Sequence, residues 1–213
     1  MTDARADFLA AAAAAEALLR RTEVAEGWAR PSALAQWSVG GLAGHLAYQV
    51  LCVPEMLAAP VPVEETVGLL EHYRRSRWVG AGVEAEINVR IRQGGEALGA
   101  SGPAALSRRV SGTLAGLPAV LVGEDGRRPV RLPFWGAWSL TLDDLLAART
   151  MELAVHADDL AVSVGAPTPE LPPETAESVI GLLTRLAVRR HGQVSVLRAL
   201  SRAERAPGSI AAF

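Results

Sequence analysis

The chain has 213 residues and no lysine: all 21 of its basic side chains are arginine. A lysine Schiff base and a lysine general base are therefore excluded. Together with the heavy use of alanine, the all-arginine choice reads as the codon bias of a GC-rich genome. Cysteine occurs once, at Cys52, so no disulfide can close within the chain, in keeping with a reducing compartment. Long hydrophobic runs are missing as well. The alanine tract Ala10 to Ala15 falls far short of the roughly 20 residues that a membrane span needs. No basic region precedes an apolar stretch at Thr2, Asp3, Ala4 and Arg5, so no secretory signal is expected and the cytoplasm is the expected location. With a net charge of −2 and a pI near 6.1, the arginines are scattered rather than gathered into a phosphate-neutralising patch, so nucleic acid is not an expected partner. There is no Gly-rich phosphate loop, no His-Glu-x-x-His, no Cys-x-x-Cys and no Gly-x-Ser-x-Gly.

What is present is helical periodicity. Asp3 can cap a first helix that runs through the alanine tract to about residue 21, alanine being the best helix former. After Ser38, the residues Val39, Leu42, Leu46, Val50, Val53 and Leu57 recur at steps of three and four, which predicts a second helix with one buried stripe. Pro54 should kink it or end it early. Weaker helices are read from Glu64 through Tyr73 and from Val83 to Leu98, separated at Gly80 and Gly82. The stretches Ala119 to Val122 and Pro129 to Leu132 flank Glu124-Asp125-Gly126 and predict a short β-hairpin, because Asp-Gly supplies the positive φ of a tight turn. The best-marked helix follows, capped by Thr141, with Asp143 and Asp144 at its positive end and Leu142, Leu146, Leu153, Leu160 and Val164 on one side; it should span about 142 to 164. Pro167, Pro169, Pro172 and Pro173 form a stiff linker before helices over Glu174 to His191 and Val194 to Arg202. The organisation expected is a bundle over residues 1–165 and a Pro-rich linker with a short helical extension over 166–213. The fold class is mainly all-α.

Within the best-marked helix, taking Leu142 as zero, Glu152 falls near 280° and His156 near 320°, on the shoulder of the apolar stripe at about 0–40°. One turn apart, a carboxylate and an imidazole are spaced to grip one ion. In the second helix His45 sits on the corresponding shoulder, beside Gln49, and two packed helices can bring the three heads together. The competing reading is a plain hydrogen-bonded Glu–His pair and a core histidine. His72 and His191 have no partner at helical spacing on these helices and are read as structural or exposed. Cys52 lies about 10.5 Å along the axis from His45, too far to share its ion, and is read as a packed residue. Arg74-Arg75-Ser76-Arg77 is read as a solvated helix face.

These segments resemble the mycothiol-dependent maleylpyruvate isomerase family, whose metal-binding bundle is related to the DinB-like proteins. The first motif is Trp37-Ser38-Val39-Gly40-Gly41-Leu42-Ala43-Gly44-His45-Leu46. The second is Arg149-Thr150-Met151-Glu152-Leu153-Ala154-Val155-His156-Ala157-Asp158-Asp159-Leu160. The resemblance implies a DinB-like four-helix bundle in which His45, Glu152 and His156 bind a divalent metal, zinc ahead of nickel or another ion. It also implies mycothiol as co-substrate and a small electrophile as its partner in transfer or isomerisation. The namesake isomerases carry a fuller C-terminal domain than the residues that follow the linker here. In the second motif Arg149 is expected to steady charge on the substrate. Asp159 is expected to orient a ligand imidazole, or else to pair with an arginine elsewhere. A metallohydrolase with a metal-bound water and a non-catalytic metal-binding bundle are the other two readings.

Overall fold

In the computed structural model, which describes residues 3–213, Asp3 accepts from the backbone N–H of Arg5 at 3.0 Å and opens helix α1, Ala4–Leu19. A short α2, Thr22–Gly27, leads to α3, Val39–Ala58, whose first turn is capped by the Ser38 hydroxyl accepting from Gly41 N–H at 2.8 Å. Then follow α4, Leu69–Arg75, α5, Glu86–Gly99, and α6, Pro103–Val122. Strands β1, Pro129–Val130, and β2, Leu140–Thr141, pair antiparallel before α7, Leu142–Val164. Helices α8, Pro173–His191, and α9, Gln193–Ser201, follow. Among the described residues no helix is long and apolar enough to cross a membrane.

Four helices, α1, α3, α6 and α7, close a ring. α1 packs on α6 and α7, and α3 packs on the same two. Phe8, Leu18, Leu42, Leu46, Leu106, Leu117, Leu121, Leu142, Leu145, Leu146 and Met151 fill its centre and are fully buried. Each such side chain contributes about 1.5–3 kcal/mol over an exposed one. α8 lies against α1 and α7, tied by the buried Asp7 carboxylate, which accepts from the hydroxyls of Thr175 and Ser178, both at 2.8 Å.

Outside the ring, α5 packs on α3 through glycines. A Cβ on Gly44 would collide with the Gly95 carbonyl oxygen, one on Gly95 would stand 2.5 Å from the Gly41 carbonyl oxygen, and one on Gly99 would collide with that of Gly40. Only residues without a side chain let the two backbones approach so closely.

Three expectations from sequence need correction. The hairpin pairs Pro129 with Thr141 and Val130 with Leu140; its predicted first strand, residues 119–122, is instead the last turn of α6. Gly112, Gly116 and Pro118 dilute the helical signal there, yet Leu106, Val110, Leu117 and Leu121 still face the core. Of the two outcomes expected at Pro54, an early end is overturned, because α3 runs on to Ala58. The third segment starts as a helix at Leu69 rather than near Glu64, because residues 65–67 are drawn into backbone bonds with Ser139.

Candidate metal centre

α7 is set in place by local signals at both ends. The Thr141 hydroxyl accepts from Asp144 N–H at 3.1 Å, and Gly165 closes the helix in the left-handed conformation with φ +69°. Between these caps the helix turns Arg149, Glu152 and His156 toward α3, with Asp159 beside His156. From α3 come His45 and, one turn on, Gln49. The close glycine contact with α5 brings Gly95 against His45, and the Trp37 ring lies 5.3 Å from the His45 ring.

One ligand-capable atom from each of His45, Glu152 and His156 lies within 4.8 Å of the other two. The His45 and His156 rings meet edge to face with centroids 4.7 Å apart. His156 Nε2 is 3.2 Å from Glu152 Oε2, and its Nδ1 is 3.0 Å from Asp159 Oδ2. The side chains of Glu152, His156 and Asp159 stay 12, 17 and 23 % accessible, so the cluster is enclosed but reachable from solvent. Asp159 meets the imidazole rather than an arginine, which is the arrangement that orients a ligand histidine.

Charge in the cluster is unevenly divided. Burial, helped by the nearby His156 and Arg149, pushes His45 down to about 3, so its ring is neutral. Burial also opposes a second charge on His156, but Asp159 and Glu152 outweigh it and hold the imidazolium to about 9. For Glu152 burial again opposes the charge, and His156, Arg149 and His45 override it, holding the carboxylate down at about 2. A neutral imidazole, a carboxylate and an imidazole whose proton faces that carboxylate form a nitrogen–oxygen donor set suited to a divalent transition ion.

Two residues beyond His45, Glu152 and His156 complete this environment. Arg149, buried, donates from a terminal nitrogen to Gln49 Oε1 at 2.6 Å. Gln49 Nε2 in turn lies 3.3 Å from His45 Nε2 and donates to the His45 carbonyl oxygen at 3.0 Å. His72 is not exposed: only 3 % of it is accessible. Its Nδ1 accepts from the Trp138 indole N–H at 3.0 Å, and the Trp135 ring lies 4.5 Å away. Burial and then Arg149 push His72 down to about 4 against the pull of Glu152. Gln49 was legible in part, as the residue at i+4 from His45. His72 and Trp138 carried no local signal.

Cys52 is buried, and burial raises its thiol to about 11, so it is a packed residue and not a nucleophile. The basic run from Arg74 is held by carboxylates, with Glu71 accepting from Arg74 at 2.6 Å and from Arg75 at 2.7 Å.

Residues 8–161 match the family model described as the mycothiol maleylpyruvate isomerase N-terminal domain. No curated protein and no solved structure matches the chain. The family match spans α1 through most of α7, and so takes in every residue of the cluster. The chain therefore belongs to the mycothiol maleylpyruvate isomerase N-terminal domain family.

Proposed function

We propose that His45, Glu152 and His156 hold one divalent ion between α3 and α7, zinc before nickel, and that the protein uses a small thiol, mycothiol, to transfer to or isomerise a small electrophile. The observation that carries this reading is the convergence of three ligand-capable atoms from two helices within 4.8 Å, in a chain of this family. Residues 1–165 form the metal-binding bundle in this reading, and 166–213 an extension against it. A reducing cytoplasm suits both a free thiol and the unpaired Cys52.

Held by His45, Glu152 and His156, a divalent ion would supply Lewis acidity that favours the thiolate form of a small thiol. The protein's own part is orientation and charge. Asp159, accepting from His156 Nδ1–H, leaves Nε2 as the ligand atom. Gln49 holds the Arg149 guanidinium beside Glu152, and Arg149 steadies negative charge that develops on the substrate.

Ionising the thiol is the smaller share of the work. A thiol with a pKa of about 8.5 is only about 3 % thiolate at pH 7, and lowering the pKa to about 6 gains roughly thirtyfold in that form. Intrinsic nucleophilicity falls roughly thirteenfold over the same change, leaving a two- to threefold net gain. Holding thiolate and electrophile in line supplies the rest.

Cobalt-substituted protein tests the reading. Mycothiol should produce a new sulfur-to-metal charge-transfer band, and turnover of the electrophile should require the thiol. An unchanged spectrum at saturating thiol, with turnover proceeding equally well without it, would replace this reading with hydrolysis by a metal-bound water.

A further inference from the structure

We propose that His72 is a catalytic hydrogen-bond donor: a neutral imidazole, held by Trp138 with its proton on Nε2, that steadies negative charge on the carbonyl oxygen of the electrophile. This rests on the thiol-transfer reading and adds to it a group from α4, outside both helices that carry the ligand trio.

The tautomer follows from one bond. An indole nitrogen can only donate. At 3.0 Å from Trp138 Nε1, His72 Nδ1 must therefore carry the lone pair, and the single proton of the neutral ring sits on Nε2. The ring cannot turn away. Trp135 lies 4.5 Å from it and Tyr73 5.2 Å, both at steep angles. Trp138 and Trp135 belong to the 131–139 loop, closed at its base by β1 and β2 and braced by Arg131, which donates to the carbonyls of Gly136 and Trp135 at 3.1 and 3.2 Å.

His72 Nε2 has no protein partner among the described residues, yet it is not among the sealed polar atoms. A buried ring with one nitrogen committed and the other left to meet solvent is built to donate outward. It lies on the side of α4 toward the cluster's helix: α4 packs on α7, which carries Arg149, Glu152 and His156, and the charges of Glu152 and Arg149 bear on its ring. A second proton is opposed by burial, by Arg149 and by the Trp138 donor alike. The ring consequently acts as a neutral donor, as an imidazole does where it polarises a carbonyl in proton-transfer enzymes.

With an α,β-unsaturated carbonyl compound, the thiolate forms a C–S bond at the β-carbon and the alkene pair moves to the carbonyl oxygen as an enolate. His72 shares its Nε2 proton with that oxygen and keeps it. Return of the pair expels the thiolate after bond rotation, giving the isomer. Proton uptake from water at the α-carbon gives the thioether instead.

The test uses the zinc-loaded full chain labelled with nitrogen-15 in histidine. Long-range proton–nitrogen correlation should show His72 protonated on Nε2 alone at pH 7, and the saturated ketone 4-phenylbutan-2-one should shift that signal downfield. Turnover of 4-phenylbut-3-en-2-one with mycothiol should fall by about 10²–10³-fold in kcat in His72→Phe. His72→Gln, which keeps an N–H near the same place, should recover most of that loss. Metal content and the cobalt–thiol band should be the same in all three proteins. An Nδ1–H or doubly protonated ring overturns the proposal without any variant being made. So does equal loss in the Gln and Phe variants, or wild-type protein that binds ion and thiol yet neither turns over the enone nor responds to the ketone. Absence of ion or of the thiol band in wild-type protein instead removes the thiol-transfer reading, and this role for His72 with it.

Discussion

The Arg149 guanidinium donates to Gln49 Oε1 at 2.6 Å, and that bond decides which side of the Gln49 amide meets His45. A guanidinium has no acceptor, so the amide oxygen must face Arg149 and the NH2 group must face the imidazole. In the ion-free protein His45 Nε2, 3.3 Å away, is thereby the accepting nitrogen of a neutral ring, and an ion would take that lone pair in place of the Gln49 N–H.

Replacing Gln49 by Met keeps the volume but leaves a buried guanidinium short of its partner. The expected loss is about 1.5–3 kcal/mol. For a chain of this size that is a fall in Tm of roughly 3–12 °C, measurable by calorimetry on the ion-free protein. Gln49→Glu keeps an acceptor for Arg149 and should fall less. Equal losses in the two variants would show that the Arg149 bond contributes nothing.

Purified protein should hold about one divalent ion per chain. Elemental analysis should find it lost from Glu152→Ala and His156→Ala and kept in His72→Ala. Asp159→Asn retains the ligands but loosens the orientation of His156, and affinity measured by chelator competition should drop about 10–100-fold. Equal ion content across the series would refute the site.

Ion binding should depend on pH through His156. Its folded pKa of about 9 lies above the ordinary value, so the ion-free protein carries this proton at neutral pH and the ion must displace it. Apparent affinity should climb by up to about tenfold per pH unit until about pH 9 and then level. The same shift stabilises the ion-free fold fully below the unfolded pKa of about 6.5, and that contribution is lost as pH rises through the folded value. Calorimetry in buffers of different ionisation enthalpy counts the proton released; a count near zero at pH 7 would contradict this charge state.

Gly44→Ala should destabilise by about 1–3 kcal/mol, because its Cβ meets the Gly95 backbone and neither helix can yield locally. Gly116→Ala, in α6 where a Cβ meets nothing within 4 Å, should instead stabilise by about 0.5–1 kcal/mol. Urea denaturation of the two variants distinguishes them by sign.

Local order was legible in the residues themselves. The Asp3 and Thr141 caps and the spacing of Glu152, His156 and Asp159 all act within one or two helical turns, where backbone geometry alone fixes which side chains are neighbours. Helix α6 was not legible, since Gly112, Gly116 and Pro118 lower its propensity and packing on α1 and α3 restores what propensity lacks. The same limit holds for the site. One helix placed Glu152 and His156 together, but only the ring of four helices decided that His45, more than a hundred residues away, joins them. The orientation of the Gln49 amide and the tautomer of His72 lie further still from sequence. Each depends on a donor that tertiary packing delivers, Arg149 in one case and Trp138 in the other, and no spacing along the chain encodes which group packing will bring to a given atom.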